Sequence, residues 1–103
     1  MSNPETMIGL WIVRGDGAGD ALLARVQGEL YVLAFSSAIR AGRCRDALGA
    51  EGRPFYIVAA NVREIVAQTR GAGAVGFILD YDPARAVFSA AHALPAADLA
   101  HAS

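Results

Sequence analysis

The residue of this 103-residue chain with the clearest potential for covalent chemistry is Cys44, which stands between Arg43 and Arg45. Neighbouring positive charge can lower the pKa of a thiol and increase its reactivity. A nucleophilic cysteine also needs a base that is oriented by a third group, and the only two histidines, His92 and His101, lie in the weakly specified end of the chain. A thiol-dependent enzyme or redox sensor is therefore an alternative hypothesis.

The spacing around Cys44 favours a simpler role. Ala41, Cys44 and Leu48 follow one another at intervals of three and four residues, which places them on one face of a predicted helix. Inside a protein a free cysteine behaves as a small hydrophobic residue. We expect Cys44 to be a buried core residue.

Two carboxylates, Asp80 and Asp82, follow a predicted strand and could hold Mg²⁺. The run Asp80-Tyr81-Asp82-Pro83 is equally typical of a turn with solvated side chains. Ser36 and Ser37 could supply a nucleophile, but their position directly before a predicted helix indicates capping residues. We expect no catalytic residue and no metal site.

Residues 15–19 read GDGAG directly after a predicted strand. A dinucleotide-binding loop needs a further glycine three residues past the second one and a helix that begins there. Asp16 and Asp20 suggest a calcium loop, but the series of oxygen ligands and the distal glutamate are missing. We therefore predict a connecting loop and no cofactor.

The charge balance argues against two classes of partner. Ten acidic and nine basic residues give a formal net charge of -1, which leaves no electrostatic footprint for nucleic acid or an anionic membrane.

Every basic residue is an arginine, as in proteins from GC-rich bacteria. The single cysteine cannot form an internal disulfide, and we find neither a secretory signal nor an apolar run that spans a bilayer. We expect a bacterial, cytoplasmic protein.

The first third of the chain predicts three strands. Met7 to Arg14 is a nearly continuous apolar run, which is typical of a buried strand. Residues 21–26 and 29–35 form a predicted hairpin around Gln27-Gly28, because glycine provides the positive φ of a two-residue turn. A helix over 21–26 is the open alternative.

The rest of the chain predicts two helices between further strands. The first helix begins at Ser36 or Ser37 and runs to about Leu48. The second begins after Asn61, with Glu64 in capping-box register. Its apolar face consists of Val62, Ile65, Val66 and Thr69. The remaining predicted strands are residues 54–60, 75–79 and 85–90.

The resulting order, β-β-β-α-β-α-β-β, predicts an α+β fold with a mixed sheet of about five to six strands and two helices. Right-handed crossovers would make the strands that end at Phe35, Ala60 and Leu79 parallel, and would place both helices on one face of the sheet. The other face would then be solvated or covered by a partner.

Parallel central strands would gather five polar residues at one edge of the sheet. These candidate site residues are Ser36, Ser37, Asn61, Asp80 and Tyr81. Open parallel sheets bind ligands at the carboxyl ends of their strands, and helix N-termini favour anions, although the two carboxylates Asp80 and Asp82 oppose an anion. The edge is therefore a candidate site for a small anion or small molecule, or a rim on which a partner docks.

We expect one domain over residues 7–91, with flexible ends at 1–6 and 92–103. Its last strand includes the run from Ala86 to Ala91, which lacks the lysine and proline residues that usually protect an exposed edge. Pairing of this strand in a homodimer is therefore possible, with coverage by the tail as the alternative.

The succession of elements resembles a known family. Three segments carry the resemblance: the strand that ends in an aromatic residue and two serines (30–37), the amphipathic helix from Asn61 to Gln68, and the hydrophobic strand closed by Asp80-Tyr81-Asp82-Pro83. In this order they are similar to the N-terminal domain of SseB-type proteins. These are bacterial proteins linked to enhanced serine sensitivity or type III secretion. The resemblance covers about residues 8–90. It implies a small domain with a regulatory or protein-interaction role and no catalytic residues to transfer.

These observations together predict a non-catalytic interaction or regulatory module with an unidentified protein partner. Binding of a small anion or small molecule at the strand ends is the first alternative, and thiol chemistry at Cys44 is the second.

Overall fold

The structure is a computed structural model that describes residues 7–15 and 21–94. Its elements are β1 (Trp11–Arg14), β2 (Leu23–Val26), β3 (Glu29–Phe35), α1 (Ala38–Ala47), β4 (Arg53–Tyr56), α2 (Val62–Gly71), β5 (Gly76–Leu79) and β6 (Ala90–Ala93). The structure confirms the predicted α+β class, the predicted order of the elements and the predicted hairpin within residues 21–35. Three parts of the chain lie outside the described residues: the predicted flexible end 1–6, loop residues 16–20, and residues 95–103 of the predicted flexible end 92–103, which include His101.

The central element of the sheet is β3. The strand order is β4-β1-β3-β5-β6, and β2 also pairs with β3. β3 is antiparallel to β1 and β2 and parallel to β5, while β4 is antiparallel to β1. The strands β3, β4 and β5 therefore run in the same direction, as predicted, but β1 separates β4 from the other two.

The hairpin that leads into β3 has the expected turn. Gln27 and Gly28 have φ values of 54° and 85°, the left-handed conformation that a two-residue turn requires at both positions. Four consecutive residues of β3, from Val32 to Phe35, are then fully buried. Because successive side chains of a strand point to opposite faces, burial of all four requires cover on both faces of the sheet.

The two helices provide that cover from opposite faces, and the prediction that both lie on one face is wrong. Ala41 and Cys44 of α1 pack with Leu33 and Phe35, whereas α2 packs with Val32 and Ala34 on the other face. The strand order explains the difference. The first crossover passes from β3 across β1 to β4, and the second returns past β1 and β3 to β5. Two crossovers of the same hand that run in opposite directions place their helices on opposite faces.

The helix starts differ in how they are capped. The side chain of Ser37 accepts a hydrogen bond from the backbone N–H of Arg40 at 3.2 Å, so the predicted cap of α1 is confirmed. Asn61 precedes α2, but its Oδ1 accepts from the backbone N–H of Val58 at 3.0 Å and makes no capping bond to the helix. The predicted capping box with Glu64 is therefore wrong, because the turn after β4 already uses the Asn61 side chain.

The last strand begins later than predicted. Of the predicted strand 85–90, only Ala90 belongs to a strand, because β6 is Ala90–Ala93. The backbone carbonyl of Asp82 accepts from the N–H of Ala86 at 2.7 Å, and Ala86 adopts a φ of 57°, so a turn occupies the start of the predicted strand. Leu94 is buried in the core cluster that includes α2. Residues 92–94, which we expected to belong to the flexible tail, therefore belong to β6 or to the core.

The contact between β5 and β6 gives a test of this register. A Cβ added to Gly76 would overlap the backbone carbonyl oxygen of His92. We expect Gly76→Ala to lower the free energy of unfolding by about 2 kcal/mol or more, the cost of overpacking at a site bounded by backbone. Urea denaturation measures this change.

The matched control is Gly71→Ala at the end of α2. A Cβ at Gly71 would meet nothing within 4 Å, and alanine favours helix over glycine by up to about 1 kcal/mol. We expect this variant to be as stable as the wild type or more stable. Equal losses in the two variants would contradict the pairing of Gly76 with β6.

Candidate functional site

A groove of about 490 Å³ opens where β3 and β5 end beside the start of α1. One wall is α1, the other is the segment that follows β5, and the floor is apolar. We refer to it as the α1 groove. Its lining residues are Phe35, Ser37, Ile39, Arg40, Arg43, Cys44, Ala47, Asp80, Tyr81, Asp82 and Pro83.

The helical wall presents an exposed apolar residue beside two cations. Ile39 is 69% exposed although it is a large hydrophobic side chain. Arg40 and Arg43 are both exposed, and neither guanidinium has a hydrogen bond or ion pair with another residue of the described ranges. This wall therefore offers positive charge and apolar area that the described fold does not use.

The opposite wall is held by a link between the ends of β3 and β5. Asp80 Oδ1 accepts from the backbone N–H of Ser36 at 2.9 Å, and Asp80 Oδ2 accepts from the Ser36 hydroxyl at 3.0 Å. Asp80 has a φ of 54°, a left-handed conformation that aspartate tolerates better than most residues. Its backbone N–H donates to the carbonyl of Ala34 at 2.8 Å. These bonds fix the point where the two parallel strands end.

Asp82 stabilises the next turn. Its Oδ1 accepts from the backbone N–H of Ala84 at 3.0 Å, the local bonding that makes aspartate frequent in turns. Asp80 and Asp82 thus accept hydrogen bonds within the protein. No group of three or more metal-ligating side chains occurs over residues 7–15 and 21–94.

The floor of the groove contains Cys44, and the prediction that this residue belongs to the core is confirmed. Cys44 is only 3% exposed and packs in the cluster with Phe35. Burial raises the pKa of its thiol, and the negative charge of Asp82 raises that pKa further. The flanking arginines therefore do not produce a reactive thiolate in this environment.

The structure brings together most of the predicted site residues. Ser36 bonds directly to Asp80, and Ser37, Asp80 and Tyr81 line the α1 groove. Asn61 is not among its lining residues and instead bonds within the turn before α2, whose helix covers the other face of the sheet. β3, β4 and β5 run in the same direction, but β1 lies between β4 and β3. The end of β4, which Asn61 follows, is therefore not beside the ends of β3 and β5 where the groove opens.

The sequence interpretation missed the three residues that form the helical wall. Ile39, Arg40 and Arg43 lie opposite to, or beside, the buried residues Ala41 and Cys44 of α1. The sequence feature that could have identified this wall is the position of a large apolar residue, Ile39, outside the predicted buried face of the helix. Which elements approach that face depends on the strand order, so the helix alone does not identify the groove.

The chain has no match among family models, curated proteins or solved structures. Over the described residues, neither α1 nor α2 has the length and apolar character of a membrane-crossing helix.

Asp80→Asn tests the link between the strand ends. Asparagine keeps the size and the tolerance for positive φ, but it loses the charge that strengthens the two bonds from Ser36. We expect the free energy of unfolding to fall by about 1 kcal/mol, measured by urea denaturation. Asp46→Asn is the control, because Asp46 is exposed and its ion pair with Arg45 lies at the surface, where such pairs contribute little. A loss at Asp46 equal to that at Asp80 would contradict the link.

Alkylation with iodoacetamide tests the state of Cys44. Since the thiol is buried and its pKa is raised, we expect the folded protein at neutral pH to react at least about 100-fold more slowly than the protein in urea. Comparable rates in the two states would contradict burial.

The same pKa shift predicts a dependence of stability on pH. In the unfolded chain Cys44 loses its proton at a lower pH than in the folded chain. Its contribution to stability is therefore fully present at neutral pH and is lost as the pH rises through the alkaline range where thiols ionise. We expect Cys44→Ala to show a smaller loss of stability between pH 7 and pH 10 than the wild type.

Proposed function

We propose that this chain is a non-catalytic protein-interaction module and that the α1 groove is its docking site. The observation that carries the proposal is the exposure of Ile39 next to Arg40 and Arg43, two cations without a partner among the described residues. Protein interfaces combine apolar contact area with arginine more often than the rest of a protein surface does. A partner segment would cover the apolar area and neutralise the charge.

The charge distribution across the groove indicates the chemistry of that segment. Arg40 and Arg43 stand on the α1 wall, and Asp80 and Asp82 stand on the facing wall. Both carboxylates accept hydrogen bonds within the protein, whereas neither guanidinium has a partner among the described residues. A carboxylate of the partner would therefore pair with Arg40 or Arg43. A bulky apolar side chain against Ile39, with a carboxylate next to it in the partner sequence, would satisfy both features.

The chemistry of the site supports a role without catalysis. The Ser37 hydroxyl oxygen accepts from the backbone of α1, and the Ser36 hydroxyl donates to Asp80. Cys44 is buried with a raised pKa. Each candidate nucleophile therefore has a structural role or lacks access to a substrate, which argues against the thiol-dependent alternative.

The assignment to an SseB-type domain is also a proposal. The succession of β3, α1, β4, α2 and β5 supports it, since that is the order on which the resemblance was based. A bacterial, cytoplasmic setting belongs to the same proposal and is supported by the use of arginine without lysine and by the single cysteine.

Binding of a small anion is a second candidate for the same groove. Arg40 and Arg43 follow the Ser37 cap, so two guanidinium groups accompany the start of a helix at the ends of parallel strands. Asp80 and Asp82 on the facing wall repel any anion. A small anion, unlike a mixed apolar and acidic segment, gains no apolar contact with Ile39 to offset that repulsion, so it is the weaker candidate. Titration with inorganic phosphate tests it: shifts of the amide signals of Ser37, Arg40 and Arg43 would favour it.

Selection from a randomised peptide library displayed on phage tests the docking proposal. We expect the wild-type chain to enrich peptides with an aspartate or glutamate within two residues of a bulky apolar side chain. For a selected peptide, Arg43→Glu should weaken binding by about tenfold or more, since it removes an attractive charge and adds a repulsive one. Fluorescence anisotropy measures the dissociation constants.

Arg63→Glu is the matched control. It makes the same change of charge at an exposed position of α2, on the face of the sheet opposite α1. We expect it to leave peptide binding within about twofold of the wild type, apart from the long-range effect of net charge. Equal weakening by the two variants, or enrichment of basic peptides, would contradict docking in the α1 groove.

A further inference from the structure

The outer edge of β6 is unpaired in the described part of the chain. β6 ends the strand order β4-β1-β3-β5-β6, and its inner edge pairs antiparallel with β5. An edge strand presents free backbone N–H and C=O groups, which can form bonds with another strand. This surface is separate from the α1 groove, so the inference does not rest on the proposed function.

The two ends of the sheet differ in their protection against such pairing. β4, at the opposite end, contains Arg53 and Pro54, and charge and proline on an edge strand both oppose the addition of a strand. β6 has the sequence Ala-Ala-His-Ala, with no proline and no formal charge when the histidine is neutral. Its alanine side chains leave room for a second backbone.

The ladder shows which residues of β6 face outwards. The backbone N–H of Leu94 donates to the carbonyl of Val75 at 3.3 Å, so Leu94 directs its polar groups towards β5. In an antiparallel ladder these directions alternate along the strand. Ala91 and Ala93 therefore direct their N–H and C=O groups away from the sheet, and both side chains are exposed.

We propose that two copies of this chain pair through their β6 strands, antiparallel and around a two-fold axis at His92. In this register Ala91 of each copy lies opposite Ala93 of the other. In each of these two pairs, each residue donates its backbone N–H to the carbonyl of the other, so four hydrogen bonds form between the two copies. A second copy is the occupant that fits, because a two-fold axis matches every donor of this edge with an acceptor of the same edge.

The segment before β6 adds apolar area near this edge. Val87 and Phe88 are 51% and 37% exposed, and they lie three and two residues, respectively, before the strand begins. Four backbone bonds between short strands form only a small interface. The structure therefore predicts a weak dimer that forms at high protein concentration.

Paired charge variants test both the pairing and its register. In Ala91→Lys/Ala93→Lys, each lysine faces a lysine of the second copy, and like charges directly opposite destabilise a strand pair. In Ala91→Lys/Ala93→Glu, the same two positions bring opposite charges together across the axis. Sedimentation equilibrium over a range of concentrations measures the apparent mass, and circular dichroism verifies that each variant is folded.

We expect the wild type to rise from the monomer mass of 10.7 kDa towards twice that value as concentration increases. The lysine–lysine variant should remain a monomer, whereas the lysine–glutamate variant should dimerise at least as strongly as the wild type. A wild type that is monomeric at every concentration up to about 1 mM would overturn the proposal. Identical self-association of both variants would also overturn it, because another surface would then form the dimer.

Discussion

The structure depends on covering both faces of β3. Val32 and Ala34 point to one side of the sheet and Leu33 and Phe35 to the other, and all four are fully buried. A strand with neighbours on both edges and apolar side chains on both faces needs a helix on each side. The chain meets this requirement by crossing the sheet once in each direction, from β3 to β4 and from β4 to β5, which places α1 and α2 on opposite faces.

The α1 groove follows from this arrangement. α1 begins three residues after the last residue of β3, and the parallel partner β5 ends beside the same point. The bond from Ser36 to Asp80 connects the two strand ends, so the segment after Leu79 faces the first turns of α1. The buried side of α1 completes the core, and its outer side, with Ile39 and Arg43, is left as one wall of the groove.

Several features that depend on local sequence were predictable, whereas those that depend on strand order were not. Gly28 in a two-residue turn, Ser37 as a helix cap and Cys44 on a buried helical face each follow from a few neighbouring residues. The opposite placement of the helices and the distance of Asn61 from the groove depend on β1 lying between β3 and β4, which no local pattern encodes. The late start of β6 depends on the turn after Asp82, where Ala86 adopts a conformation that its residue type disfavours.

Native-state hydrogen exchange of the β3 amides tests most directly whether β3 is the shared centre of the two core layers. If each helix protects one face of the same strand, the amides of Val32 to Phe35 become accessible only when the whole domain unfolds. Their opening free energies should then equal the free energy of unfolding measured with denaturant. Opening of these amides at a clearly lower free energy, or lower protection than in β6, would contradict the account.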